Sequence, residues 1–297
     1  MPGRSDLDRE YSPSSCVADL APLLAAYAER SRAVPTVHPP ETYAYGPLDC
    51  QTLDLFRADA SGGRPSPVHV FVHGGYWQEL SKDESSFPAL GFVARGITYI
   101  AVDYTLAPHA PLDQIVAQVR TAIAWVHRHA DELDIDPSRL VVSGSSAGAH
   151  LAAMAALTDW SAYGLSSGPI AGLALMSGIY DVVPLVDTYI NDAVGMDRDT
   201  ARRNSPLLQV TRAGDEPASS PPAPPIPAVI AWGEHETAAF KQQSTAFADA
   251  WQRSGAPVTR LEAAGRNHFD IVHDLADAAT PLGAQVARLH ERVDSSR

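Results

Sequence analysis

The sequence is short of cysteine, of basic residues and of long apolar runs. Only Cys16 and Cys50 occur in 297 residues, and they form no C-x-x-C pair. Neither a disulfide framework nor a thiolate metal site is therefore expected. Asp and Glu number 35 against 22 Lys and Arg, for a formal net charge of -13. Because such a surface repels nucleic acid and anionic membrane, we expect neither as a partner.

No stretch of about 18 apolar residues occurs, and residues 1–11 are polar, without the apolar core of a signal peptide. We therefore expect neither secretion nor membrane insertion, and we expect a cytoplasmic location. A hydrophobic content of 45% suffices for one large domain over residues 1–297. The sequence leaves the oligomeric state open, with a homodimer as one option.

What the sequence does contain is a regular alternation of strand and helix patterns. Short apolar, turn-bounded runs predict strands, and longer periodic segments between them predict helices. This βαβα order predicts an α/β fold with a mostly parallel sheet and flanking helices. The strands are expected at residues 68–72, 97–104, 139–143, 170–176, 228–232 and 258–261.

Two segments fall outside that alternation. Residues 1–40 contain a helical pattern at 17–33 that prolines stop, and residues 181–227 have weak periodicity and many prolines. Long insertions between strands are often lids, so we expect residues 1–40, an N-terminal arm, and the 181–227 insertion to form a small cap.

The turn Gly144-Ser145-Ser146-Ala147-Gly148 lies between the strand at 139–143 and an alanine-rich helix. A G-x-S-x-G in that context is typical of a nucleophile elbow, in which glycines let the backbone pass closely and the serine stands above the sheet. The pattern predicts Ser146 as a nucleophile. Ser145 is expected beside the substrate.

Serine needs an imidazole to accept its proton and a carboxylate to fix that imidazole's tautomer. His268 follows the last predicted strand and is favoured as the base over His273 in the next helix. The acid is expected after the strand at 228–232. Glu236 is preferred there because it opens the next helix, while Glu234, and behind it Asp181, stay open as alternatives.

A second motif, His73-Gly74-Gly75-Tyr76-Trp77, follows the strand expected to neighbour the elbow strand. Glycines there allow the amides of Gly74 and Gly75 to face an oxyanion together with the amide of Ala147. Tyr76 and Trp77 are predicted to line the substrate pocket. His73 is interpreted as a residue that braces the loop.

These motifs together resemble the α/β-hydrolase superfamily, in particular hormone-sensitive-lipase-like esterases and the serine-dependent arylformamidase group. The resemblance rests on the His73–Trp77 motif, on the elbow extended to His150, and on Asn267-His268-Phe269-Asp270. Softer likenesses are Asp103-Tyr104-Thr105-Leu106-Ala107-Pro108, Asn204-Ser205-Pro206 and Glu10-Tyr11-Ser12-Pro13. A glutamate in place of the commoner aspartate as triad acid departs from the group's pattern.

The resemblance implies an α/β-hydrolase fold and a hydrolase that cleaves N-formyl-L-kynurenine, or a related N-formyl aryl amine, to formate and the free amine. It implies a small-molecule substrate and no metal or cofactor. Two alternatives stay open: a carboxylesterase of broad small-ester range, and a non-catalytic ligand receptor on the same fold. A receptor would be expected to have lost Ser146 or His268, and both are present.

Overall fold

The fold is built on one eight-stranded sheet, seen in a computed structural model that describes residues 4–58, 63–215 and 225–295. The strand order is β1-β2-β4-β3-β5-β6-β7-β8. β2 runs antiparallel to both of its neighbours, and all remaining pairs are parallel. The strands are β1 (Glu41–Ala44), β2 (Thr52–Phe56), β3 (Ser66–Val72), β4 (Thr98–Val102), β5 (Ile135–Ser145), β6 (Gly172–Met176), β7 (Ala228–His235) and β8 (Val258–Asn267).

Helices connect the parallel strands and cover both faces of the sheet. They are α1 (Arg4–Glu10), α2 (Ala21–Val37), α3 (Ala89–Val93), α4 (Leu112–Arg128), α5 (Ala130–Leu133), α6 (Ala147–Ala156), α7 (Asn191–Val194), α8 (Arg198–Arg203), α9 (Pro206–Asp215), α10 (Ala238–Arg253) and α11 (Pro281–Ser295). Short 3-10 turns cover Pro13–Cys16, Lys82–Glu84, Trp160–Tyr163, Val183–Asp187 and Ile271–Asp274. The α/β architecture with a mostly parallel sheet, which the alternation predicted, is therefore confirmed, and it is the arrangement that the resemblance implies.

The two faces of the sheet bury separate apolar clusters. One cluster brings α4, α6 and α10 onto the sheet through residues such as Ile115, Leu151 and Phe247. The other brings α3 and α11 onto the opposite face through Phe92 and Val286. The central strands are covered on both sides, which explains why their sequences are continuous apolar runs rather than alternating ones.

The sheet brings the candidate chemical motifs to one edge. In a parallel sheet the carboxyl ends of neighbouring strands meet, and ligands bind in the crevice outside them. The His73–Trp77 loop follows β3, Ser146 follows β5, and His268 follows β8. Glu236 directly follows β7.

The arm and the insertion supply short helices above this edge. The insertion contains α7, α8 and α9. Helix α2 of the arm has the length of the predicted helix at 17–33 but begins and ends four residues later, so Pro35, which was expected to stop the helix, lies inside it. Pro221, Pro222 and Pro224 lie outside the described residues. No helix in the described part of the chain is both long enough and apolar enough to cross a bilayer.

Candidate active site

The turn that carries Ser146 is tight and strained. Ser146 has φ 57° and ψ -119°, a left-handed backbone that costs a non-glycine residue about 1–3 kcal/mol and is often found at active sites. A Cβ on Gly144 would lie 2.2 Å from the carbonyl carbon of Gly148, and one on Gly148 would lie 2.0 Å from the Val72 oxygen. A side chain at either position would clash with the backbone, so both residues must be glycine. The turn that they allow raises Ser146 above the sheet at the start of α6.

His268 is oriented by Glu236. The Nδ1 of His268 lies 3.2 Å from Glu236 Oε2, and both side chains are buried. A carboxylate only accepts hydrogen bonds, so Nδ1 carries the proton and Nε2 is left free to accept one. The pair has the geometry of the base and acid of a serine triad, and Ser146 lines the same cavity as His268.

Glu236 is held by two further donors. Ser177 Oγ donates to its Oε1 at 2.6 Å, and the amide of Gly233 donates to the same oxygen. Hydrogen bonds to a charged carboxylate are strong, so these two donors fix the rotamer of Glu236. Ser177 was missed in the sequence, although it directly follows β6 and so lies at the same sheet edge. Its position directly after a parallel strand was the sequence signal that could have identified it.

The alternatives left open in the sequence are placed elsewhere. Glu234 is exposed and accepts from the amide of Gly265 at 2.7 Å. Asp181 Oδ1 accepts from the amide of Val183 and from Ser205 Oγ. Neither carboxylate contacts His268 in the described structure.

His273, the alternative base, packs away from Ser146. Its ring meets the rings of Tyr27 and Phe87 edge-on, with centroids 5.3 and 4.9 Å away. Burial, aided by nearby Arg30 and Arg266, lowers the pKa of His273 to about 4. The ring is part of an apolar cluster beside the pocket.

The loop after β3 brings backbone amides toward Ser146. A Cβ on Gly74 would lie 3.3 Å from Ser146 Cβ, so this glycine lies against the nucleophile. Within the described chain, the amides of Gly74 and Gly75 have no hydrogen-bond acceptor. Ala147 begins α6, so its amide has no acceptor within the helix and lies at the helix's positive end. The three amides fit the predicted oxyanion role, which stays a prediction.

The side chains of Tyr76 and Trp77 lie in different surroundings. Tyr76 lines the cavity, but Trp77 does not, so the prediction for Trp77 is wrong. Its side chain is fully buried and packs edge-on against His150, with ring centroids 5.0 Å apart. The reason lies in the backbone: φ is 49° at Tyr76 and 62° at Trp77, and this left-handed turn directs the second ring into the core.

His73 lies under the loop as a brace. Its ring stacks on Tyr104 at 4.1 Å, and its Nδ1 donates to the carbonyl of Gly74 at 3.0 Å. Tyr104 donates its hydroxyl to the carbonyl of His73 at 2.9 Å. These contacts fit the loop-bracing interpretation.

A cavity of about 230 Å³ opens onto the serine. Ser145, Ser146 and His268 lie on its wall, so Ser145 is placed where a substrate-contacting residue would be. Most of the lining is apolar or aromatic, and it comes from the end of β3 and the loop after it, the N-terminal arm, the insertion and the segment after β8. The aromatic lining residues are Tyr27, Phe71, Tyr76, Phe87, Tyr189 and Phe269.

Comparison with known proteins places this site in a family. The family model BD-FAE matches residues 53–196. Kynurenine formamidase of Danio rerio is 32% identical over 283 residues, which cover 92% of this chain and 92% of that protein. The chain belongs to the kynurenine formamidase family. Esterase LipQ of Mycobacterium tuberculosis is a more distant relative, 28% identical over 76% of this chain and 56% of its own length.

A solved structure shares the fold of this chain. A Silicibacter protein described as a candidate thioesterase superposes with a TM-score of 0.76 at 26% identity, covering 95% of this chain and 99% of that one. As a member of the kynurenine formamidase family, this chain is a hydrolase that acts on amide or ester bonds.

Proposed function

We propose that this hydrolase cleaves the formamide of an N-formyl aryl amine, with N-formyl-L-kynurenine as the leading substrate, through a formyl-enzyme at Ser146. The observation that carries the proposal is the Glu236–His268 pair beside Ser146 in an aromatic cavity. The family membership supports the amide bond as the target.

The chemistry follows from the placement of these groups. Ser146 Oγ attacks the formyl carbon while His268 Nε2 takes its proton, and the amides of Gly74, Gly75 and Ala147 stabilise the oxyanion. The C–N bond then breaks, and His268 returns the proton to the leaving amine. Water attacks the formyl ester with His268 as base, which releases formate and restores Ser146.

The cavity suits an aryl leaving group. Six aromatic side chains line it, and rings bury large apolar area and pack offset or edge-on against one another. Among the described residues of the 181–227 insertion, only Tyr189 and Ile190 reach the wall. Five residues of the arm do so: Pro13, Ser14, Leu20, Leu24 and Tyr27.

The decisive experiment is steady-state kinetics on formyl, acetyl and butyryl derivatives of one aryl leaving group, corrected for intrinsic reactivity. Tyr76 follows the oxyanion glycines and lines the cavity, so its ring is expected to leave little room for an acyl chain. Forcing a methylene into a filled pocket costs about 1–3 kcal/mol, so kcat/KM for acetyl should fall about tenfold or more below formyl.

The same series tests the second candidate function. A broad carboxylesterase is favoured by the match to Esterase LipQ, and the sequence fixes the shared machinery better than the leaving group. If butyryl equals or exceeds formyl, the acyl side is open and the carboxylesterase function replaces the formamidase. The cytoplasmic location remains a prediction, and the oligomeric state remains open, with a homodimer as one option.

A further inference from the structure

The N-terminal arm is fastened to two loops of the active site by consecutive backbone carbonyls. Thr237 Oγ1 donates to the carbonyl of Glu10 at 2.6 Å, and the hydroxyl of Tyr76 donates to the carbonyl of Tyr11. We name residues Glu10–Tyr11 the clasp. Thr237 directly follows Glu236, and Tyr76 directly follows Gly75. One short segment is therefore tied one residue away from the triad acid and one residue away from an oxyanion glycine.

The side chains of the clasp add to both attachments. The Glu10 carboxylate accepts from the amide of Ala239 at 3.2 Å, at the start of α10, where negative charge is favourable. The Tyr11 hydroxyl accepts from Gln243 Nε2 at 3.2 Å. Phe240 links these contacts to the base, because its ring packs against Tyr11 at 6.4 Å and edge-on against His268 at 4.5 Å.

The loop after β3 needs such fastening because its backbone is strained. Gly75, Tyr76 and Trp77 have φ of 90°, 49° and 62°, and left-handed non-glycine residues persist only where their surroundings hold them. The Trp77 carbonyl accepts from the amide of Ala107 at 2.7 Å, which holds one side of the loop. The hydrogen bond from Tyr76 to Tyr11 holds the other side.

We propose that the clasp is a positioning element for catalysis: it sets the oxyanion amides of the loop after β3 relative to the Glu236–His268 pair. Tyr76 is then a positioning residue as well as part of the cavity wall. The proposal deepens the proposed function and rests on it for the roles of Gly75 and Glu236. It concerns the groups that carry out acyl transfer, and the same groups act on formamides and on esters.

The test is Tyr76→Phe, which removes the hydroxyl and keeps the ring in the wall. Oxyanion contacts form only in the transition state, so their displacement lowers kcat and leaves KM nearly unchanged. We expect kcat to fall about 10- to 100-fold, as for small misplacements of reacting groups, on both an N-formyl anilide and p-nitrophenyl acetate. Tyr43→Phe is the matched control, because it removes a hydroxyl that binds Glu41 at the far edge of the sheet. Its kcat should stay unchanged.

A second pair of variants tests the other attachment. Thr237→Ser keeps a hydroxyl that can donate to Glu10, whereas Thr237→Val removes it. We expect kcat to fall in the valine variant and to be retained in the serine variant, at temperatures well below both melting transitions.

Two results would overturn the proposal. One is a rise of KM with unchanged kcat in Tyr76→Phe, which would make Tyr76 a wall residue only. The other is a lower melting temperature with unchanged kcat below it, which would make the clasp merely structural. If the wild-type enzyme hydrolyses the ester but no formamide, the proposed function fails while the ester kcat still tests the clasp.

Discussion

Two serine–histidine pairs use serines three residues apart along β5 and its turn, and the pairs differ in what surrounds them. Ser146 shares a cavity with His268, whose other nitrogen faces the carboxylate of Glu236. Ser143 lies 2.7 Å from His69 Nε2, in a site without solvent exposure. Ser143 and His69 lie within hydrogen-bond distance of each other, yet of the two pairs only Ser146 and His268 have a carboxylate partner and a cavity.

His290 is the third member of the buried group Ser143–His69–His290, which we call the inner cluster, in contrast to the outer site of Ser146, His268 and Glu236. His69 Nδ1 lies 3.0 Å from His290 Nε2, so an imidazole stands where the outer site has a carboxylate. Burial lowers the pKa of His290 to about 3, and burial beside His290 holds the pKa of His69 well below its usual value. Both rings are neutral at pH 7. An imidazole partner cannot stabilise the imidazolium that a working base becomes.

Alanine substitution should give the largest difference in activity between the two serines. Ser146→Ala is expected to reduce kcat by at least about 10⁴-fold with the fold intact, because the nucleophile is lost. Ser143→Ala should keep kcat within a few-fold, while the unpaired His69 lowers the free energy of unfolding by about 1–3 kcal/mol. Kinetics and chemical denaturation measure the two effects. Activity lost in Ser143→Ala and kept in Ser146→Ala would reverse the assignment.

Glu236→Gln tests the role of the carboxylate that distinguishes the outer site from the inner cluster. Loss of tautomer control is expected to lower kcat by about 10⁴-fold, the effect of the equivalent change in a serine protease triad. Glu234→Gln, two residues away and exposed, is the matched control and should keep its activity. If Glu234→Gln lowers kcat and Glu236→Gln does not, the acid has been assigned to the wrong glutamate.

The inner cluster should make stability depend on pH. Unfolded histidines bind protons near pH 6.5, whereas His69 and His290, like buried His150 with its pKa of about 4, do so only at lower pH when folded. The unfolded state therefore binds more protons between pH 6.5 and 5, and the free energy of unfolding falls as the pH falls. The slope is at most about 1.4 kcal/mol per pH unit for each histidine.

Denaturation at several pH values checks this slope, and His290→Gln should make it shallower. An equal slope in that variant would show that the inner cluster is not its source.

Sequence reasoning could predict the outer site and not the inner one. Ser146, Glu236 and His268 each follow a strand of a parallel sheet, so the order of elements alone brings them to one edge. The His69–His290 pair joins residues separated by 221 positions, and the contact between Thr237 and Glu10 spans 227. No periodicity or motif encodes such pairings. Trp77 was misplaced because its left-handed backbone depends on the loop's surroundings and not on its sequence.

The most direct test is covalent labelling with a serine-directed organophosphate, followed by peptide mass spectrometry. We expect one modified serine, Ser146, with labelling abolished in Ser146→Ala and unchanged in Ser143→Ala. Modification of Ser145 or Ser143, or labelling that persists in Ser146→Ala, would contradict it.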